Sequence, residues 1–313
     1  MARKIAFNPN MILPAGTQVV ARVEVRIIGG GAEHPAGTVG VIIRSPGDHT
    51  HNYLVQFPDG SEAAMRRTEF AVLKTWQRDQ IRAAPNVLDD FDLMDCVLFR
   101  CIVGSRAYGL SREDSDVDRR GVYLPPAEMH WSLFGVPEQL ESPESEECYW
   151  EFQKFVMLAL KANPNVLECL YTPLVEDVLP VARELLDAKG AFLSKLVYQT
   201  YNGYVLSQFK KIGARVQNHG DIKWKHAMHL IRLLHSGITA LREGYVPVAV
   251  EAERERLLAI RDGQMTWEAI DAWRLELHRQ FEDAFSTTKL PDRPDYDRAN
   301  AILVSARRSR VTT

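Results

Sequence analysis

No apolar run in this sequence approaches the roughly 20 residues that a membrane-crossing helix needs. The opening MARKIAFNPNMILPAG lacks the apolar core of a secretory signal. Cysteine is scarce: four residues, Cys96, Cys101, Cys148 and Cys169, with no Cys-x-x-Cys pair among them. A disulfide framework and a cysteine-bound zinc are both excluded, and reduced thiols buried as small core residues are expected. Neither charge sign is in excess, since 38 Lys and Arg stand against 41 Asp and Glu for a formal −3. That excludes a globally basic nucleic-acid coat but leaves room for a local basic groove. Internal repeats and low-complexity tracts are also lacking. These absences describe a soluble protein of a reducing, cytoplasmic compartment, with no membrane partner.

What is present is an ordinary globular balance, 46% hydrophobic and 25% charged over 313 residues. That length predicts two domains, or three if one is small. Residues 15–73 carry short β-rich runs: GTQVVARVEVRII, then GTVGVIIRS, then NYLVQFPDGS. Asp59-Gly60 is a tight-turn pair. Short strands at this spacing predict a small closed barrel. A GTVG strand followed by Tyr53-x-Val55-x-Phe57-x-Asp59-Gly60 resembles the SH3-like barrels. Periodicity then turns helical from Leu73 to Ala84. From about Glu151 onward helices dominate, with segments over Val178–Ala188, Leu193–Val216, Trp224–Arg242, Glu251–Arg261 and Trp267–Ser286. The tail beyond Arg307 reads as loose.

The chemistry concentrates in VLFRCIVGSRAYGLSREDSDVDRRGVYL. Val97–Val103 is apolar at nearly every position and reads as a buried strand. Gly104-Ser105 follows it. Gly104 lets the backbone approach an anion closely, and Ser105 adds a short hydroxyl donor. Asp116–Leu124 reads as a second strand, where residues two apart share a face. Asp116 and Asp118 would then point together, as hard oxygen ligands for a shared Mg²⁺. One end grips a polyphosphate and the other holds metal, which describes metal-assisted phosphoryl chemistry. Two lookalikes fail on position. A P-loop starting at Gly104 needs Lys after Gly109, and Leu110 stands there. An EF-hand starting at Asp114 needs Gly and Glu where Arg119 and Pro125 stand.

A hydrophobic strand, Gly-Ser, ten residues and Asp-x-Asp resemble the DNA polymerase β-type nucleotidyltransferases. The longer string GSRAYGL…SDVDRRGVYLPP is similar to the RlaP (YcgL-like) group, predicted nucleotidyltransferases linked to RNA repair. KFVMLALKANPNVLECLY, KHAMHLIRLLHSG and LLAIRDGQMTWEAI extend that likeness over about Asp95 to Arg307. It implies an α+β fold: a polymerase-β-like core of mixed sheet and flanking helices over 74–175, and a C-terminal helical domain over 176–307. The SH3-like barrel over 15–73 looks like an appended module.

The resemblance also implies roles. Gly104 and Ser105 would hold the nucleotide's phosphates, with Arg106 or Arg120 balancing charge. Asp116 and Asp118 would bind two Mg²⁺, with Mn²⁺ as a substitute. A third carboxylate is expected on a neighbouring strand; Glu147 is the first choice, with Glu151 and Glu146 behind it. The reaction would be attack of a hydroxyl on the α-phosphate of a nucleoside triphosphate, releasing pyrophosphate. The implied acceptor is an RNA end; the alternatives are a protein or small-molecule hydroxyl, or an inactive nucleotide or RNA sensor.

One helix adds a second feature. Lys225, His229 and Arg232 share a face, while Trp224, Met228 and Ile231 share another that reads as core. The polar face predicts a wall closing over nucleotide phosphates or an RNA strand. Four histidines between 219 and 235 lack a companion carboxylate motif, so zinc is not expected. Preferred base and oligomeric state are not written in the sequence.

Overall fold

Short runs of β-branched and aromatic residues separated by turn residues form five strands near the start of the chain. They are β1 (Gln18–Ala21), β2 (Val39–Arg44), β3 (Tyr53–Gln56), β4 (Glu62–Met65) and β5 (Phe70–Val72), followed by helix α1 (Leu73–Ala83). The structure is a computed structural model, and it describes residues 12–27, 34–48, 51–83, 91–113, 115–142, 145–219 and 222–311. The chain divides into two compact units, residues 1–90 and 91–313.

The first unit is an antiparallel sheet in the order β4-β3-β2-β1-β5. Inward residues alternate along it, with Val19, Ile42, Tyr53, Val55 and Phe70 in one core. Among the described residues no pairing joins β4 to β5, so the closed SH3-like barrel expected from the sequence is not formed. The turn Arg66–Glu69, held by Glu69 N on Arg66 O, sends the chain across to β1 instead of back along β4. Helix α1 packs on β1 and β5, so residues 74–83 group with this unit.

The second unit begins with β6 (Val97–Val103), short α2 (Gly104–Ala107), β7 (Asp118–Tyr123) and α3 (Ala127–Trp131). Then come β8 (Gln139–Ser142), β9 (Glu147–Glu151), α4 (Phe152–Leu160), α5 (Pro164–Tyr171), β10 (Val175–Val178) and α6 (Pro180–Asp187). Long helices finish it: α7 (Leu196–His219), α8 (Trp224–Glu243), α9 (Arg254–Arg261), α10 (Trp267–Thr287) and α11 (Tyr296–Arg308). The sheet order is β10-β6-β7-β9-β8, mixed because β7 and β9 run parallel while the other pairs are antiparallel. Strand β10 carries the sheet past residue 175. Gly121 in β7 has no room for a side chain, since a Cβ there would lie 1.8 Å from the Phe99 carbonyl oxygen.

Helix starts follow local chemistry. Glu151 caps α4 by accepting from Lys154 N at 3.1 Å. Asn163 caps α5 through Asn165 N at 3.1 Å, with Pro164 at the first helical position. One hydrophobic core runs from Leu98 and Phe99 in the sheet through α4 and α5 to α8, α10 and α11. Helix α8 is buried nearly all round, packed between α7, α9 and α10. The segment after α11 is tied down, not loose: Arg310 Nε donates to Leu124 O at 3.0 Å, and Arg310 O accepts from Ala127 N. Among the described residues no helix is long and apolar enough to cross a membrane.

Candidate active site

Strand β6 ends at Val103, which pairs with Asp118 at the start of β7. Gly104 turns the chain with φ +71°, a conformation that strains any residue with a Cβ. A Cβ at 104 would also lie 2.4 Å from Asp118 Oδ2. The carboxylate therefore rests against bare backbone, and glycine is needed on both counts. Asp118 Oδ1 accepts from Arg120 Nη2 at 3.3 Å, two residues along the same face of β7.

Asp116 behaves differently. It is exposed and precedes the strand, so the alternation that would aim it with Asp118 does not apply. Arg106 shapes this loop, donating to Ser115 O at 2.8 Å and Asp116 O at 3.4 Å. The guanidinium expected on phosphate thus holds main-chain carbonyls. Asp114 lies outside the described residues.

Glu147 is not beside Asp118. In the parallel β7–β9 register it pairs with Arg119, whose side chain leaves the sheet on the face opposite Asp118 and Arg120. Its contacts agree: Tyr149 OH donates to Glu147 Oε2 at 3.0 Å, and Arg119 Nη1 lies 3.9 Å from Oε1. Arg100 Nε donates to Tyr149 OH at 2.8 Å, completing a polar network there. Glu151 is spent on capping α4 at the far end of β9. Glu146 is exposed, has φ 53°, and offers its carbonyl to Arg120 Nη1 at 2.6 Å. Among the described residues no cluster of three His, Cys, Asp or Glu is arranged to hold one metal ion.

The second unit contains a cleft of about 480 Å³ with Gly104, Ser105, Asp118 and Arg120 on one side. Lys225, His226, His229 and Arg232 of α8 line it as well, with the start of α5 and part of α7 between. Seven of the residues singled out from the sequence thus share one cavity: Gly104, Ser105, Asp118, Arg120, Lys225, His229 and Arg232. Asp116, Arg106 and Glu147 do not line it.

Arg232 is no surface cation. It is buried because α8 is the central helix, and its Nη2 donates to Glu168 Oε1 at 2.6 Å. Tyr108 OH donates to Glu168 Oε2 at 2.5 Å, and the guanidinium carbon sits 3.6 Å from the Tyr108 ring centroid. Burial opposes charge on Arg232, but Glu168 and Tyr108 outweigh it and raise its pKa above the ordinary value. Its Nε and Nη1 have no hydrogen-bond partner among the described residues. The sequence signal for Glu168 is an acid inside the apolar run NVLECLY. Burial, then Arg232, Lys225 and His226, push the His229 pKa down to about 4, so it is neutral near pH 7. His226 is lowered by burial, then by Lys223 and Lys211.

A groove of about 910 Å³ between α7 and α8 shares Lys225, His226 and His229 with the cleft. Lys211, Arg215, Lys223 and Trp224 extend it, and among the described residues no carboxylate lines it. The basic surface expected around α8 is therefore continuous with the Asp118 cleft.

The RNA repair pathway DNA polymerase beta family, RlaP, matches residues 76–305 of this chain. Over 75 residues the chain is 36% identical to "Uncharacterized protein YcgL" of Bacillus subtilis (strain 168). That stretch is 23% of this chain and 29% of the relative, so less than a third of the relative is spanned. No solved structure matches the chain.

Proposed function

The chain belongs to the RlaP family, of DNA polymerase beta type, and on that premise we propose that it is a nucleotidyltransferase acting on an RNA end. The observation that carries this reading is the shared cleft, with Gly104, Ser105 and Asp118 facing the cations of α8. The reaction is attack of an RNA hydroxyl on the α-phosphate of a nucleoside triphosphate, with pyrophosphate leaving. Gly104 and Ser105 take phosphate oxygens through backbone and hydroxyl donors. Lys225 supplies a mobile positive charge, and Arg232 offers its unpartnered Nε and Nη1.

Asp118, the carboxylate at the cleft, fits one Mg²⁺, which typically takes one or two carboxylates and would complete its shell with phosphate oxygens and water; Asp116, ahead of β7, does not line the cleft. Mn²⁺ suits the same donors. When bound, the ion offsets phosphate charge and polarises the reacting phosphoryl group. His229, neutral at pH 7, hydrogen-bonds without adding charge to the wall.

The groove of Lys211, Arg215, Lys223 and Trp224 supports a single-stranded acceptor, since cations track phosphates and an indole stacks on a base. In this reading residues up to about 175 carry the chemistry and 176–307 supply the opposite wall. The N-terminal unit assists acceptor binding. Four free cysteines fit a cytoplasmic enzyme.

Incubation with each labelled triphosphate, Mg²⁺ and total RNA tests the proposal. Label on RNA that disappears in Asp118→Asn is expected. Label on protein or a small molecule moves the acceptor. A second reading, nucleotide binding without transfer, is favoured by the position of Glu147; binding with no label on any acceptor would establish it.

A further inference from the structure

A second cavity, of about 750 Å³, lies at the other end of β7. Its walls are Leu124 and Pro125 just after the strand, helices α3 and α4, and α11 with the residues that follow it. Among the described residues it shares none with the Asp118 cleft. Six strand residues separate the two, about 20 Å at the usual rise. Volumes of this order are typical of sites for small molecules.

Charge selects the ligand's sign. Among the described residues, Lys154, Lys161, Arg307, Arg308 and Arg310 line the cavity against the carboxylates Glu138 and Glu151. This is a positive concavity on a chain of net charge −3. A flat apolar surface is present too, because Trp131 is 68% exposed and lines the same space. Polar atoms wait at one end. Glu151 Oε1 lies 3.6 Å from His130 Nε2 and 3.5 Å from Arg307 Nη2. His130 Nε2 and Arg307 Nε are buried without a hydrogen-bond partner among the described residues.

An anion, a planar apolar ring and a hydroxyl-bearing linker between them satisfy all three features at once. We propose that this cavity is a second nucleotide-binding site, taking a base against Trp131, a phosphate at Arg307 and Arg308, and a sugar hydroxyl at His130 and Glu151. An acidic peptide would leave the indole and the buried imidazole without a counterpart. A free mononucleotide and a nucleotide within a strand present the same chemistry.

Binding of two probes to the full chain separates these sources: adenosine monophosphate and a short single-stranded oligoribonucleotide. Trp131 and Arg308 are both exposed, so their replacement by alanine leaves the fold intact; an unchanged unfolding midpoint checks this. The double variant Trp131→Ala, Arg308→Ala is expected to bind at least one probe roughly 10-fold or more weakly. A Ser105→Ala, Lys225→Ala background removes contacts of the cleft, and the loss caused by Trp131→Ala, Arg308→Ala should appear again in that background. Weakening for the mononucleotide identifies a free ligand, and weakening for the oligonucleotide alone identifies a strand. If neither probe binds the wild-type chain, or the Trp131, Arg308 variant binds both as wild type does, the site does not exist.

Discussion

Arg232 Nη2 lies 2.6 Å from Glu168 Oε1, and both side chains are almost sealed from solvent, at 7% and 3% exposed. The pair joins α8 to α5 across the cleft's inner wall. Removing one partner strands the other charge in a low-dielectric site, at a cost of about 3–5 kcal/mol. Glu168→Ala and Arg232→Ala should each lower the urea midpoint accordingly. Glu168→Leu with Arg232→Met should recover much of the loss. Equal stability of Arg232→Ala and wild type would mean that the pair contributes nothing.

Gly104→Ala tests the contact with Asp118. The new Cβ would meet the carboxylate and force a left-handed alanine, a backbone cost of about 1–2 kcal/mol. Triphosphate transfer should fall far more than stability does, because Asp118 must rotate away. Asp118→Asn should abolish transfer with the unfolding midpoint preserved. Wild-type turnover in either variant would remove this corner from the chemistry.

Glu147→Gln should leave transfer within about 2-fold, a difference well under 1 kcal/mol in barrier. Its carboxylate serves Tyr149 and Arg119 on the other face of the sheet. A fall of about 100-fold or more in turnover would return Glu147 to the site.

Stability should depend on pH through His229. Its folded pKa near 4 sits below the ordinary 6.5, so the unfolded chain binds more protons between those values. The neutral imidazole's contribution is whole above about pH 6.5 and is lost as pH falls toward 4, by at most about 3 kcal/mol. His229→Gln should flatten part of this slope in urea midpoints taken across that range. His226, His235 and His278 shift in the same direction, so the difference between variant and wild type is the readout. An identical slope in both proteins would show that His229 titrates normally.

A chain starting at Phe91 should fold and keep its triphosphate affinity, because the second unit has its own core. Weakened RNA binding in that truncation would fit the role proposed for the N-terminal unit. Loss of triphosphate affinity in the folded truncation would bring that unit into nucleotide binding.

Much of the cleft was legible because its signals are local. Strand β6, Gly104-Ser105, Asp118 and the polar stripe of α8 each announce themselves within a few residues. Strands β8 and β10 were hidden by their composition, QLES and VEDV, which is polar and sits at the two sheet edges. The side that Glu147 faces is set by pairing with β7, whose residues lie 28 positions away at Arg119↔Glu147. Glu168 and Arg232 are 64 residues apart, and each alone reads as an ordinary helix charge. Their burial follows from α8 being the central helix, a tertiary fact that a stripe on one helix does not carry.

The parallel pairing of β7 with β9 also limits what small insertions can do. One extra residue ahead of Glu147 would shift the register and bring that acid to the side of Asp118. The same slip would swap Tyr149 and Trp150 between faces, and both are buried in different cores. Because every side chain on the strand moves together, the acid cannot change sides alone. Single-residue indels before β9 should therefore be purged even though Ser145 and Glu146 are exposed, whereas a change of residue type at 146 leaves the register as it is. The supply of carboxylates along this edge can be altered by substitution and not by sliding.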